Sequence, residues 1–385
     1  MPTERLFTKE LIALNVVMFL VYCNIAVFFE FHHYLATLPL APQSYGLLIG
    51  LFSASMLVLR PLISPFFHPG NARRWIGISC GLIIASLFAY HAASGFWSMA
   101  FVRLFHGTAH VVLATAVVAG LIGCIPPDRS AQAFGLVSVI TLLPYAVIPP
   151  VLDTATRMMG GFLGVLDLTA WAMALSFPLL VVIRGARSGD ADSASQRPGR
   201  RDILVNLRDP RILILLLVAL LLWSSYSPVF YFLGDHGAKL GVANPGWFFT
   251  LSGFTEIGVR LAGGRRFDRL NKRRLLIGTL LWLMIGNVVM AQASHEWTFY
   301  GMGLFMGLGW GVAMPVLSGL MFDCSEPRLR ALNTNLTFQM FQAGFFLGPV
   351  VGGFVLVHGG YAGLYSLCAT LTAVAAIAAW FLREM

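Results

Sequence analysis

Three ionisable side chains lie inside one long apolar segment at residues 96–121, where a charge is costly and is retained for function. Arg103 lies within this segment, and His106 and His110 follow at spacings of three and seven residues, on the same face of a helix. An arginine disfavours the protonated form of a neighbouring group, so a change in their separation would move a proton. The pattern predicts a proton-coupling site. The alternative is a structural polar pair within a helix bundle.

A second buried charge is predicted at Glu256, one helical turn before Arg260. This spacing allows an ion pair within one helix, and the functional alternative is a site for a proton or a cationic substrate. Glu30, followed by two histidines, ends the first apolar segment. It lies inside a cavity if that helix is long and forms an exposed cap if the helix is short, so both interpretations stay open.

Aromatic and hydroxyl side chains are concentrated in the segment 211–233, within the sequence Trp-Ser-Ser-Tyr-Ser-Pro at 223–228. Hydroxyl groups and a proline near the membrane midplane predict a bent helix that lines a cavity. The candidate cavity residues are Trp223, Tyr226, Tyr145, Trp310 and Phe345, with Asn24 and Gln339 as hydrogen-bonding groups.

Membrane-spanning helices must position these side chains. Of the 385 residues, 57% are hydrophobic and 11% are charged, and the mean hydropathy is +0.76, which excludes an ordinary cytosolic enzyme, a disordered chain and a disulfide scaffold. At about 20 residues per span, the apolar runs predict an all-α integral membrane protein of twelve helices. They lie near 11–31, 44–66, 75–93, 96–121, 131–152, 162–183, 211–233, 245–264, 275–293, 297–321, 332–357 and 361–382.

Positive charge is distributed unevenly between the two sides of these spans. Nearly all of the 26 Lys and Arg residues share a side with the termini, whereas Arg157 and Lys239 lie on the other. Loops rich in Lys and Arg remain in the cytoplasm. We therefore expect a multi-pass protein of a cell membrane, the inner membrane of a bacterium, with both termini in the cytoplasm. This orientation accounts for the net charge of +9, so we expect no nucleic-acid partner.

An internal repeat relates the two halves of the chain at a constant offset. Arg60, Asn71, Trp97, Gly107 and Pro149 correspond to Arg260, Asn271, Trp297, Gly307 and Pro349. The hydrophilic stretch 184–210 is predicted to be a cytoplasmic linker between six-helix bundles at 1–183 and 211–385. Two parallel repeats joined in this way are typical of a transporter with a binding site near the midplane.

The loop after the segment 245–264 reads Gly-Arg-Arg-Phe-Asp-Arg-Leu-Asn-Lys-Arg-Arg, from Gly264 to Arg274. It resembles the G-x-x-x-D-R-x-G-x-R-R signature of the major facilitator superfamily, with Asn271 in place of one glycine. The resemblance implies that family's fold and a conformational latch. The predicted gating residues are Arg60, Arg73, Arg74, Arg260, Gly264, Asp268, Arg269, Arg273, Arg274, Gly348 and Pro349. In the first copy His68 replaces the aspartate, and we hypothesise that it makes the latch pH-sensitive.

Two further patterns bear on the resemblance. Arg103 and Gly107 form R-x-x-x-G, which is similar to a family signature linked to proton coupling. Residues 344–353 match G-x-x-x-G-P-x-x-G-G, which the family's exporters typically carry in the fifth helix, whereas here it lies in the eleventh. Among the branches of the family, the chain most resembles the drug:proton antiporters and efflux permeases.

The sequence contains neither a phosphate-binding G-x-x-x-x-G-K-[ST] motif nor a His/Cys/Asp cluster at metal-ligand spacing. We expect no enzyme activity, no cofactor and no metal. The sequence predicts a monomeric secondary transporter in the lipid bilayer that couples protons to export of a small amphipathic compound by alternating access. The alternatives are proton-coupled uptake of a small polar metabolite or sugar, and a non-transporting membrane sensor with the same fold.

Overall fold

The computed structural model describes residues 8–124, 130–183, 206, 208–326 and 329–382, and within these ranges it contains helices and no strands. The helices are α1 (Lys9–Ala26), α2 (Phe31–Ala36), α3 (Tyr45–Ile63), α4 (Pro69–Ala89), α5 (Phe96–Cys124), α6 (Ser130–Met158), α7 (Phe162–Ala174), α8 (Ser176–Leu179), α9 (Pro210–Lys239), α10 (Trp247–Arg269), α11 (Lys272–Ala291), α12 (Glu296–Cys324) and α13 (Arg330–Trp380). The predicted all-helical fold class is confirmed, and each of the twelve predicted segments is helical.

The number of membrane spans is not fully confirmed. Among the described residues, ten helical stretches are long and apolar enough to cross a membrane. One of these, Leu332–Trp380, covers the last two predicted spans. Helix α10 is not among these ten stretches.

The first helical stretch extends beyond its predicted end. Helices α1 and α2 are joined by a 3₁₀ turn at Val27–Glu30, and together they form one candidate span over Lys9–Ala36. Glu30 therefore lies within a continuous helical stretch and is half-buried. It is not the exposed cap of a short helix. A 3₁₀ turn inside a long helix often marks a hinge.

Capping residues fix the start of the first helix in each half. Thr8 Oγ1 accepts a hydrogen bond of 3.1 Å from the Leu11 amide before α1. Before α9, the Asp209 carboxylate accepts one of 2.9 Å from the Arg211 amide, and Pro210 takes the first helical position. Such caps satisfy amide groups that a helix start leaves unpaired, and proline loses nothing there.

Helix α13 is interrupted at Gly360, where the backbone angle φ is +62°. Glycine adopts this left-handed geometry without the steric cost that a Cβ would add. The interruption falls between the predicted spans 332–357 and 361–382, so the two predicted helices are one element with a break.

The described part of the chain divides into two compact units. Unit 1 takes Met1–Leu40 and Leu51–Asp192, and unit 2 takes Ala41–Gly50 and Ser193–Met385. The start of α3 therefore belongs to unit 2, in which Gly46 lies against the backbone of Pro349 and Gly353 on α13. Sequence analysis had assigned this stretch to the first half.

The internal repeat is also present in the helix packing. In unit 1, a Cβ built on Gly107 of α5 would clash with the Phe52 carbonyl oxygen on α3. In unit 2, a Cβ on Gly307 of α12 would lie 2.6 Å from the Ser252 carbonyl oxygen on α10. Both pairs show the same residue offset, so equivalent glycines bring equivalent helices into backbone contact.

Candidate functional site

Arg103 lies on α5 in the interior of unit 1 and is only 1% exposed. Its guanidinium carbon lies 4.9 Å from the ring centre of Phe28, 4.6 Å from that of Phe31 and 4.9 Å from that of Phe52. Its Nη1 also donates a hydrogen bond of 3.3 Å to the Tyr90 hydroxyl. A cation against aromatic faces in a site without water is stabilised by about 2 kcal/mol or more.

His106 is fully buried one turn further along α5 and has a defined partner at each ring nitrogen. Its Nε2 lies 2.9 Å from Asn24 Nδ2 on α1, and its Nδ1 lies 3.2 Å from the Tyr90 hydroxyl. Arg103, Tyr90, His106 and Asn24 therefore form a continuous chain of polar contacts in unit 1. The structure brings Asn24, predicted separately as a cavity residue, to Arg103 and His106, which the sequence had already grouped on one helix face.

His110 continues this polar face of α5 and is also buried. Its ring centre is 5.2 Å from that of Phe52, and none of the described residues forms a hydrogen bond with its Nδ1. Arg60, assigned to the gating residues from the sequence, interacts electrostatically with His110 and with Tyr22. The structure thus places Arg60 near His110.

Unit 2 carries the second charged site. Glu256 on α10 is 5% exposed, and its Oε2 accepts a hydrogen bond of 3.1 Å from Arg260 Nη2. This is the predicted intrahelical ion pair. The Glu256 backbone fits against α12 because residue 311 is a glycine, on which a Cβ would lie 3.1 Å from the Glu256 Cα.

Unit 2 also contains an aromatic cluster, and one of its residues interacts with Glu256. Tyr226 on α9 lies 4.6 Å from Trp310 and 5.5 Å from Trp223 between ring centres. It also lies 5.9 Å from Phe345, and it interacts electrostatically with Glu256. Four of the five aromatic residues predicted for the cavity are therefore neighbours in unit 2.

Two predicted cavity residues lie elsewhere. Tyr145 belongs to unit 1, where its ring packs edge-on against Tyr22 at 6.1 Å. Gln339 on α13 is half-buried, and its Oε1 has no hydrogen-bond partner.

The predicted gating residues are spread over several local contacts. His68 is exposed at the start of α4, where its amide donates to Asn71 Oδ1 at 3.0 Å, and Arg73 and Arg74 are exposed on the same helix. In unit 2, Arg273 donates to the Trp380 carbonyl oxygen, while Arg274 is exposed. The side chains of Asp268 and Arg269 lie outside the described residues, and Gly264 is described only by its helical backbone.

The glycine-rich stretch of α13 packs closely against α9. A Cβ on Gly348 would lie 2.7 Å from the Ser224 carbonyl oxygen, and Ser227 Oγ donates to the Gly344 carbonyl oxygen at 3.0 Å. Pro349 presents its carbonyl oxygen to Gly46. Gly348 thus lies where α13 packs closely against α9, and Pro349 lies where α13 meets the start of α3.

Sequence reasoning missed the residues that surround Arg103. Tyr90 and the three phenylalanines Phe28, Phe31 and Phe52 are common in apolar segments, and nothing in their spacing singles them out. One signal was present: Phe28 and Phe31 flank Glu30, which had been selected for its charge. Within the described residues, no group of three or more His, Cys, Asp or Glu side chains is placed to hold a metal ion.

These features define a polytopic α-helical membrane protein built from two related halves, each with charged side chains in its interior. Residues 212–385 match the family model described as Major Facilitator Superfamily. The matched residues make up less than half of the chain, and over them the chain is similar to this family of transporters. The predicted resemblance to the family is confirmed over these residues.

Similar proteins agree with this assignment over limited stretches. The chain is 27% identical over 93 residues to the quinolone resistance protein NorA of Staphylococcus aureus, which is 24% of each chain. It is 27% identical over 90 residues to the uncharacterized MFS-type transporter YqjV of Bacillus subtilis (strain 168), which is 23% of this chain and 22% of YqjV. The matched region thus spans about a quarter of the length of these curated relatives.

Solved structures resemble the whole fold. The nucleoside transporter NupG aligns with a TM-score of 0.76 at 13% identity, covering 98% of this chain and 100% of NupG. A bacterial homolog to the human lysosomal transporter Spinster, in an inward-facing conformation, aligns with a TM-score of 0.80 at 13% identity, covering 99% of this chain and 97% of the homolog. At this identity the likeness establishes the fold alone.

Proposed function

We propose that the protein is a proton-coupled secondary transporter that exports a small, amphipathic, aromatic cation by alternating access. The observation that carries this proposal is the buried carboxylate of Glu256 beside the aromatic cluster of Trp223, Tyr226 and Trp310. Aromatic faces and a carboxylate together suit a flat apolar body with a positive charge. The Arg103 network in unit 1 would supply the proton coupling.

Partial exposure of the cluster supports a binding role. Trp223 and Tyr226 are half-buried, whereas Trp310 is buried at the back of the cluster. Ring faces that keep free surface can stack against a ligand. The name of NorA as a quinolone resistance protein supports the same substrate class, since quinolones are flat aromatic compounds.

We further propose that it acts as a monomer in the inner membrane of a bacterium with both termini in the cytoplasm. The distribution of Lys and Arg along the sequence supports this orientation. The predicted latch residues Arg273 and Arg274 on α11 would then face the cytoplasm, as would their neighbour Lys272, which pairs with Asp323 at 2.8 Å.

Uptake of a small polar metabolite is a second candidate, and unpartnered amide oxygens favour it. Within the described part of the chain, three buried amide oxygens lack a hydrogen-bond partner: Asn24 Oδ1, Asn287 Oδ1 and Gln342 Oε1. A polar substrate reaching such groups would satisfy them. NupG is named as a nucleoside transporter, so a nucleoside is a suitable probe of this class.

The proposal is tested with purified protein in proteoliposomes under an imposed pH gradient, with ethidium as the aromatic cation and uridine as the polar probe. We expect ethidium to move against its gradient towards the acidic side and uridine not to move. Glu256→Gln should lower the ethidium rate at least about tenfold, equivalent to about 1.4 kcal/mol of lost transition-state binding. Concentrative movement of uridine alone would overturn export of a cation, and absence of any flux would favour the sensor.

A matched control variant tests whether the effect is specific to the buried Glu256–Arg260 pair or common to ion pairs in general. Asp153 and Arg157 form another i,i+4 pair, but both side chains are more than half exposed. Exposed pairs contribute little, so Asp153→Asn should leave the ethidium rate unchanged. An equal loss in Asp153→Asn and Glu256→Gln would contradict a substrate site at Glu256.

A further inference from the structure

We propose that His106 is the residue that binds and releases the coupled proton, and that the Asn24 side-chain amide turns over when the ring changes charge. This inference rests on the proton coupling proposed above and names its chemical group. The juxtaposition that carries it is a buried imidazole with one partner that can exchange donor for acceptor.

The observed contacts define the neutral state of the ring. The Asn24 amide nitrogen can only donate, so His106 Nε2, at 2.9 Å, accepts and carries no proton. The ring proton then lies on Nδ1 and is donated to the Tyr90 oxygen at 3.2 Å. Arg103 Nη1 donates to the same oxygen at 3.3 Å. These two hydrogen bonds use both lone pairs of the Tyr90 oxygen.

The Asn24 side chain can also accommodate the protonated state of the His106 ring. Its side chain is fully buried, and its Oδ1 has no hydrogen-bond partner among the residues that the structure describes. When a proton binds at Nε2, a half-turn of the amide replaces the nitrogen by Oδ1, which accepts from the new Nε2–H. The contact from Asn24 Nδ2 to Nε2 breaks and the contact from Nε2 to Asn24 Oδ1 forms, so every ring proton keeps an acceptor.

The charges around the ring determine when this state forms. The ionisable groups facing His106 are Arg103 and His110 on its own helix and Tyr90 at the end of α4, while Phe28 and Phe52 cover the ring. Further out, Arg60 lies beside His110, and Glu30 shares the 3₁₀ turn of Phe28. An imidazolium and a guanidinium that share the Tyr90 oxygen repel each other. Protonation therefore requires Arg103 to withdraw, which a movement of the 3₁₀ turn carrying Phe28 would permit.

The test follows the ring directly, by NMR of protein labelled with ¹⁵N at histidine in lipid nanodiscs between pH 5 and pH 9. The signal of His106 is identified by its loss in His106→Gln. We expect the Nδ1–H tautomer at high pH and the doubly protonated ring at low pH. Asn24→Asp, whose carboxylate only accepts, should move the midpoint up by about one pH unit, and Asn24→Leu should move it down. A ring that stays neutral in both the wild type and Asn24→Asp, or shifts of the same sign in both variants, would overturn the inference.

Ethidium transport provides the second arm. His106→Gln should lose at least about tenfold of the uphill rate driven by the pH gradient while keeping downhill exchange. His91→Gln is the control, because His91 is an exposed residue paired with Asp167 at 2.9 Å. Uphill transport that survives in His106→Gln would overturn the inference. A ring that titrates as expected in a protein without pH-driven flux would instead overturn the proposed function and leave the proton site standing.

Discussion

Helix α5 of unit 1 and helix α12 of unit 2 are equivalent in the repeat, yet they carry different chemistry. Gly107 and Gly307 bring both helices into backbone contact with a neighbour in the same way. Around these glycines the side chains differ: Arg103, His106 and His110 in unit 1 correspond to Gly303, Met306 and Trp310 in unit 2. The backbone contact of the two helices is therefore shared, and the polar groups are specific to each half.

Helices α3 and α10, which pack against α5 and α12, differ in the opposite way, since here the charged residue is in unit 2. Met56 on α3 packs with Phe52 and Val111 in an apolar cluster, whereas the equivalent residue on α10 is Glu256. The position of Val111 corresponds to Gly311, which leaves room for the Glu256 backbone. We propose from this comparison a division of labour, with proton chemistry in unit 1 and substrate recognition in unit 2.

The largest expected effect is a difference in transport rate between variants of Arg103 and of Arg260. Arg103→Lys should lower pH-driven ethidium transport by about 100-fold, because a lysine cannot lie flat on three rings while donating to Tyr90. Arg260→Lys should cost less than about threefold, since a lysine can still pair with Glu256 at i,i+4. Flux assays on both variants check this contrast. Equal losses would show that the two sites do not differ as we infer.

The next effect tests whether the packing is shared. Gly107→Ala should lower the free energy of unfolding by about 2 kcal/mol and Gly307→Ala by about 1 kcal/mol, because both force backbones apart and the approach at Gly107 is closer. Gly81→Ala and Gly278→Ala are the controls, since a Cβ there meets nothing within 4 Å. Thermal unfolding of the four variants gives the order. A neutral Gly107→Ala would contradict the close contact in unit 1.

The smallest effect concerns the two helix caps. Thr8→Ala and Asp209→Ala should each cost about 1 kcal/mol or less at neutral pH. The side-chain hydrogen bond from Arg211 holds the pKa of Asp209 below its ordinary value. The contribution of Asp209 is therefore fully present above its unfolded pKa of about 3.9 and is lost as the pH falls through the folded value.

The hydroxyl of Thr8 does not titrate, so its cap provides the reference. Unfolding measured between pH 3 and pH 7 should show the cost of Asp209→Ala shrinking at the acidic end and the cost of Thr8→Ala staying constant. Parallel curves would rule out an ionised cap at α9.

Much of the fold could be predicted because membrane helices must satisfy their backbone hydrogen bonds internally and be apolar over about 20 residues. Boundaries were less accurate where a helix continues through a 3₁₀ turn, as at Val27–Glu30, or breaks without losing its apolar character, as at Gly360. Helix α10 was predicted as a span and is helical, but it is not among the ten apolar stretches found in the described residues.

The candidate sites were predicted in part. Arg103, His106 and Glu256 were identifiable because a charge or an imidazole is conspicuous in an apolar segment. Their environment was not identifiable, since Tyr90 and Phe52 lie on other helices and are ordinary residues there. The grouping of Tyr226 with Trp310, and the separation of Tyr145 from both, depend on contacts between residues far apart in the chain.

The sequence by itself determined the helical membrane fold, the repeat and the ionisable residues worth attention, because hydrophobicity and charge are local properties of the chain. Only the tertiary structure decided which neighbours those residues have. It placed three aromatic rings on Arg103, an unsatisfied amide beside His106 and a glycine behind Glu256. The physical reason is that the behaviour of a buried charge depends on the few atoms around it, and these come from helices that the linear order does not bring together.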